Sequence, residues 1–349
     1  MSRRREVGAL LLGAAVGLKA QAQAQASPPA AKAGAAPALT RPIFVLNSQD
    51  ADISVIDPRS HSVTQRIAVG KEPHHLYLAP DEKTLIVANA ASNSLTFVDP
   101  ASGTVLRTVR QVVDPYHLRF SPDMQWFVTA ANRLNHVDLY RWQGAQAEQP
   151  LQLVKRVAAP KTPSHLVIDR KSTVVVASLQ DSDELLAIDL ASQAPRWKIK
   201  VGRMPADLYL TADDRTLLVG LTGDKVVEAY DVSTASASTA PKLIKRITTG
   251  AGAHAFRARG DQRHVFVSNR VANTISLIDT QTLAVVAEYP APGGPDCMEM
   301  LSDGRTLLVT SRWARKLSYI DIEKKQLVRQ VEVGRSPHGV WTLDHAPRL

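Results

Sequence analysis

Residues 72–89, "EPHHLYLAPDEKTLIVAN", alternate apolar and polar positions, turn at "APDEK", and end in the apolar run "LIVAN". Period-two alternation and a short apolar run bounded by turn residues read as two β-strands. The same events return down the chain. A short alternating strand ("HLYL", "HLRF", "DLYL", "GVWTL") precedes a turn ("APDEK", "SPDMQ", "TADDR", "LSDGR"). A β-rich run ("LIVAN", "WFVTA", "VVVAS", "HVFVSN", "LLVTS") then precedes a strand ending in Asp ("LTFVD", "LLAID", "ISLID", "LSYID"). A Thr/Ser/Gly turn and a last strand close the unit, as in "TVLRTV" and "LVRQVEV". Counted at the third residue of a Pro-x-His slot, the units fall at His75, His117, His165, Asp207, His254, Cys297 and Gly339, 42 to 48 residues apart.

Four strands every forty-odd residues, repeated, predict an all-β fold: a seven-bladed β-propeller of four-stranded blades. Six complete units run from about residue 69 to 331. The C-terminus adds one strand, "PHGVWTLD", and the N-terminus three, "IFVLN", "ISVID" and "VTQRIAV". One blade is therefore shared between the two chain ends, which closes the ring and leaves no sheet face or edge open at a seam. The polar insertions at "RWQGAQAEQP" and "DVSTASASTAP" are expected between outer strands, where extra length costs little.

Composition adds little about fold and more about location. Residues 1–26 read as an export signal, with Arg3, Arg4 and Arg5 ahead of the short apolar run "VGALLLGAAVGL" and small-residue cleavage sites up to Ala26. A periplasmic or secreted protein is expected, and "SRRREV" also fits a twin-arginine route. No cysteine follows the apolar run, which argues against a lipoprotein. Residues 27–41, rich in Ala and Pro, read as a flexible lead-in, and residues 42–349 as one propeller domain. Cys297 is alone, so no internal disulfide forms. No later segment is long and apolar enough to span a membrane. The formal net charge of +9 is partly carried by the signal, and no basic stretch is dense enough for a specific nucleic-acid site.

The slots "IVAN", "FVSN", "FVLN" and "LVTS", the "SPDG"-like turns and the "ID" strand ends resemble the YVTN-type, YncE-like β-propeller repeat family over residues 42–344. The resemblance implies the propeller fold and an exported or surface protein. Related seven-bladed rings include haem d1-binding domains of nitrite reductases, a lactonase family and copper-dependent thiol oxidases, and fold does not choose among them. The family often carries glycine at the third slot position. Here only Gly339 keeps it.

In a propeller the first strand of each blade is innermost, so the slots should ring one mouth of the channel. Adjacent to them stand His74, Tyr116, Ser164, Ala206, Ala253, Asp296 and His338. His75, His117 and His165 on three consecutive blades form a candidate site for zinc or copper, with Asp207 on the next blade. The other readings are strand-start packing, with each imidazole bonded to a neighbouring blade, and a wider ligand such as a haem-type tetrapyrrole reaching His254. His74 is expected to matter less, because adjacent strand residues point to opposite sides. Loops expected at the same mouth carry Arg133, Arg270, Arg312, Trp313, Arg315 and Lys316, and "SRWARK" reads as an anion clamp with an aromatic platform. Asp57, Asp99, Asp189, Asp279 and Asp321 recur with the repeat and should cap turns. No GxSxG, phosphate loop or HExxH is present. The expected role is a small-ligand- or envelope-protein-binding module without catalysis of its own. The rival is an oxidoreductase or cofactor-handling protein using the His-lined mouth.

Overall fold

The computed structural model describes residues 40–348, so the expected export signal and nearly all of the lead-in lie outside the described residues. Seven four-stranded antiparallel sheets surround a central channel. Their innermost strands are Pro73–Leu78, His117–Phe120, Pro163–Ile168, Pro205–Leu210, Ala253–Ala258, Pro295–Met300 and Pro337–Thr342, which number the blades 1 to 7. Blade 7 is the shared one. Pro337–Thr342 pairs with Ile43–Asn47, which continues to Asp52–Asp57 and Ser62–Ala68. The register Phe44↔Trp341 and Val45↔Val340 joins the two ends of the chain. The lead-in's last residues are tied to this blade, because the amides of Thr40 and Arg41 both donate to Asp344. Among the described residues no helix is long and apolar enough to cross a membrane.

The repeat motifs have mechanical roles. Asn47, Asn89 and Asn269 end the second strand of their blades and are fully buried. Each amide donates to two side chains of the third strand: Asn47 to Asp52 and Ser54, Asn89 to Ser94 and Thr96, Asn269 to Thr274 and Ser276. In blade 6 a serine substitutes, with Ser311 Oγ 2.8 Å from Ser318 Oγ. The strand-end aspartates cap turns as expected. Asp57 accepts from the amides of Arg59 and Ser60, and Asp321 from those of Glu323 and Lys324. The Arg305 side chain, with the Lys324 amide, holds the Asp321 pKa down to about 2. Both polar insertions lie between third and fourth strands. Exposed outer strands such as Lys242–Thr248 carry lysines and arginines, which discourage edge pairing.

Blade faces pack on one another through apolar side chains. Phe44, Leu46, Val87 and Trp341 form one such cluster across blades 7 and 1, and Trp341 is 1% exposed. Burying a large side chain of this kind is worth about 1.5–3 kcal/mol. Deleting residues 332–349 removes the inner strand beneath three others and opens two blade faces. The loss should exceed that of a point change and abolish cooperative melting. Thermal melts followed by circular dichroism check this: a truncated protein melting within a few degrees of the intact chain would show that closure is dispensable.

Candidate functional site

Every inner strand begins with a residue at positive φ: Glu72, Asp114, Thr162, Met204, Gly252, Gly294 and Ser336. The strand then gains one residue on its partner. In blade 1, Pro73 faces Asn89 and Leu76 faces Val87, so three steps on one strand match two on the other. The same shift occurs between Pro163 and Leu166, Pro205 and Leu208, Ala253 and Phe256, and Pro295 and Met298. Such a bulge suspends the alternation of side chains and turns two consecutive residues toward the axis. The channel therefore holds two tiers instead of one.

The register also moves one residue. Ala253 aligns with Pro73 and Pro205, so His254 stands at the second slot position and Ala255 at the third. The first tier is His74, Tyr116, Ser164, Ala206, His254, Asp296 and His338. The second is His75, His117, His165, Asp207, Ala255, Cys297 and Gly339.

The first tier is a packed polar layer. Tyr116, His74 and His338 stack, with ring centroids 3.9 and 3.6 Å apart. His338 Nδ1 donates to the His74 carbonyl at 2.7 Å, joining blade 7 to blade 1. His254 Nε2 lies 3.0 Å from Asp296 Oδ1. Asp296 also receives Arg270 at 2.7 Å and Arg312 at 3.1 Å. Burial alone would raise this carboxyl's pKa, yet Arg270, His338 and His254 hold it well below the usual range. Burial pushes the Tyr116 hydroxyl up to about 12. The expected anion clamp is thus engaged internally: Arg270 and Arg312 serve Asp296, and Arg133 pairs with Asp114 and Glu72. Trp313 lies outside, 58% exposed, with its ring over Gly294, where a Cβ would stand 2.5 Å from the ring.

The second tier lines a cavity of about 90 Å³ with Arg119, Arg257, Glu299 and Arg348. These four residues lie further along the inner strands or on the C-terminal tail. Arg270, Arg312 and Trp313 do not reach this cavity, so the expected single mouth divides into two separate environments. One nitrogen each of His75, His117 and His165 lies within 4.8 Å of the others. His75 Nδ1 is 2.9 Å from the Tyr116 carbonyl and can only donate to it, which leaves its Nε2 lone pair free. His165 Nδ1 sits 2.8 Å from Ser164 Oγ. His117 is buried and its Nδ1 has no hydrogen-bond partner. Asp207 bridges blades 4 and 5, accepting from the amides of Leu208 and Phe256, and burial raises its pKa. Burial also raises the Cys297 thiol well above its usual value, so it is no thiolate nucleophile.

The low priority given to His74 is corrected by the bulge. Its Nδ1 stands 2.9 Å from His75 Nδ1, inside the channel. Sequence reasoning also missed Asp296 as the acceptor at the first tier, and Arg119. Arg119 lies two residues beyond His117 on one strand, a spacing that already places both on one face.

The ring and its imidazole-filled channel define a seven-bladed propeller with a polar axial site. A family model described as YNCE-like beta-propeller matches residues 4–348, and the chain belongs to that family. No curated protein sequence matches it. Solved structures share the fold. The periplasmic gluconolactonase PpgL of Pseudomonas aeruginosa is 19% identical, with a TM-score of 0.72, over 88% of this chain and 99% of that one. A functionally unknown protein of Desulfotomaculum acetoxidans is 13% identical, with a TM-score of 0.73, over 86% and 98%. The dihydro-heme d1 dehydrogenase NirN, solved in complex with DHE, is 17% identical, with a TM-score of 0.64, over 86% and 75%.

Burial keeps the channel imidazoles neutral. It lowers His75 to about 3 and His254 to about 4, and it puts His74, His117, His165 and His338 well below their usual value. An unfolded histidine takes its proton near pH 6.5, so between there and the folded values the unfolded chain binds more protons. Stability then falls as pH falls, by about 1.4 kcal/mol per pH unit for each such group, and this loss is absent above about pH 6.5. Melting temperatures recorded with a chelator present should be level between about pH 7 and 8 and drop steeply toward about pH 5. His165→Gln should melt with a shallower slope than wild type; equal slopes would contradict neutral burial.

Proposed function

We propose that this protein is an exported binding propeller whose channel holds one transition-metal ion, copper or zinc, on His75, His117 and His165. The observation that carries this reading is the convergence of three imidazole nitrogens from three consecutive blades to within 4.8 Å. A metal–nitrogen bond of about 2.0–2.1 Å places tetrahedral donors about 3.4 Å apart, so the rings would close by about 1 Å. The surroundings support the fit. The Tyr116 carbonyl orients His75 through its other nitrogen, the usual outer contact of a ligating histidine. His117 Nδ1 is buried with no hydrogen-bond partner, an unmet polar atom beside the cluster. Three neutral nitrogens are a borderline donor set suited to zinc or copper, and three protein ligands leave one position open. When bound, such an ion supplies a Lewis-acidic centre, or a redox-active one if it is copper. A tetrapyrrole is disfavoured inside the channel, because about 90 Å³ is far below the roughly 300 Å³ of ordinary cofactor pockets.

Purified wild type should take up one Cu²⁺ or Zn²⁺ per chain by elemental analysis and calorimetric titration. His117→Ala should lose stoichiometric uptake while keeping its β-sheet circular dichroism. Wild type that takes up no ion at micromolar concentration would refute the site. Export carries its own check. The mature chain should begin near Ser27 and fractionate with the periplasm, and soluble protein retaining residues 1–26 by mass spectrometry would refute it.

A further inference from the structure

The cavity below the three imidazoles contains a cation without a partner. Arg119 lines it beside His75, His117, His165 and Asp207. Its guanidinium reaches only the carbonyl of its own neighbour, Leu118, at 3.4 Å, and its face stands 5.9 Å from the Tyr77 ring centroid. Among the described residues it forms no ion pair. The other arginines of the cavity are committed. Arg257 is buried and holds Glu299 at 2.6 Å, the Ala346 carbonyl at 2.7 Å and the Pro347 carbonyl at 3.0 Å. Arg348 takes the second oxygen of Glu299. Asp207 forms no hydrogen bond or ion pair with Arg119; its oxygens accept from the amides of Leu208 and Phe256. A guanidinium carries five N–H donors in a planar fork, and beyond the one turned to Leu118 those of Arg119 have no partner among the described residues of the cavity it lines with the three imidazoles.

We propose that this cavity binds a small monoanion, a carboxylate or pseudohalide of a few heavy atoms, with Arg119 as its anchor. The inference rests on the metal reading for its tightest form: one end of the anion takes the open position at the ion and the other meets Arg119. Size sets the class. About 90 Å³ holds roughly three water-sized groups, which matches an anion of a few heavy atoms. Charge sets the sign. Glu299 is matched by Arg257 and Arg348, and Asp207 turns its two oxygens to the backbone amides of Leu208 and Phe256. Among the described residues Arg119 is therefore the one guanidinium of the cavity that no carboxylate pairs with. Ala255 and Gly339, the smallest residues of the second tier, line the side of the cavity where the anion would lie.

The test uses azide as the probe, titrated calorimetrically into copper-loaded and metal-free protein, in wild type, Arg119→Gln and Arg119→Lys. Copper-loaded wild type should bind one azide. Arg119→Gln should bind it at least tenfold more weakly with copper stoichiometry unchanged, and Arg119→Lys should recover part of the loss. Equal azide affinity in wild type and Arg119→Gln, both carrying copper, would overturn the anchor while leaving the metal site standing. If wild type loads no copper, the metal reading fails, and the metal-free titration decides the anion site alone. Azide uptake that disappears in Arg119→Gln supports it, and no uptake by wild type overturns it.

Discussion

A four-stranded blade has two apolar faces, and neither is fully buried until the ring is complete. Everything else in this molecule depends on the strand pairing that completes it. Ile43–Asn47 meets Pro337–Thr342 across nearly the whole length of the chain, so the last inner strand arrives only with the C-terminus. Side chains then lock the joint. Asn47 accepts from the Gly334 amide, and Asp50 from that of Arg335. Ser48 Oγ reaches the Pro73 carbonyl, and Thr310 Oγ1 the His338 carbonyl, so blades 6, 7 and 1 are joined next to the axis. Closure also positions the channel chemistry, because His338 of the last strand stacks on His74 of the first blade.

The bulge at the head of six of the seven inner strands then decides what the axis contains. Two tiers of side chains face the axis, and each solves the burial of polar groups differently. The first tier carries one carboxylate matched by two guanidiniums, so Asp296 has no charge left to offer a cation. Although His254, Asp296 and His338 also converge within 4.8 Å, a divalent ion there would join Arg270 and Arg312 with little to offset it. The second tier holds neutral nitrogens at the metal-candidate blades, with the nearest unpaired guanidinium further down the strand. Electrostatics therefore separates these two clusters, which distance alone would rank equally with each other and with a third, His74, His75 and His338.

The fold was legible because its signal is repeated: each blade is a weak pattern, and seven in series make a strong one. The closing blade was legible because the unpaired strands at the two ends sum to one unit. The histidines of blades 1 to 3 were legible because proline marks the slot at Pro73, Pro115 and Pro163. In blade 5 that proline is replaced by Ala253, the count slipped by one, and His254 was assigned to the wrong tier. The strand register shows the slip, since Ala253 pairs with Asn269 as Pro73 pairs with Asn89. The first tier was hidden for a different reason. Alternation is a rule for regular strands, and a bulge adds a residue without leaving a mark in hydrophobicity. The pairing of Asp296 with arginines of two loops depends on how neighbouring blades abut, which no local pattern encodes.

The departure from glycine at the third slot position gains its meaning from the bulge. A ring of seven large side chains could not fit at the axis, so three imidazoles on one side require small residues on the other. At Gly339 close packing of the inner strand also demands glycine: a Cβ there would stand 2.9 Å from Leu46 Cδ1 and 3.1 Å from the His74 carbonyl. Ala255 is the other small residue, two blades away. The second tier is thus lopsided, with imidazoles on blades 1 to 3 and the small residues Ala255 and Gly339 on blades 5 and 7. A symmetric ring of glycines offers an open pore, and a symmetric ring of histidines would overfill it. The asymmetry leaves a cavity lined by imidazoles of three consecutive blades together with Ala255 and Gly339.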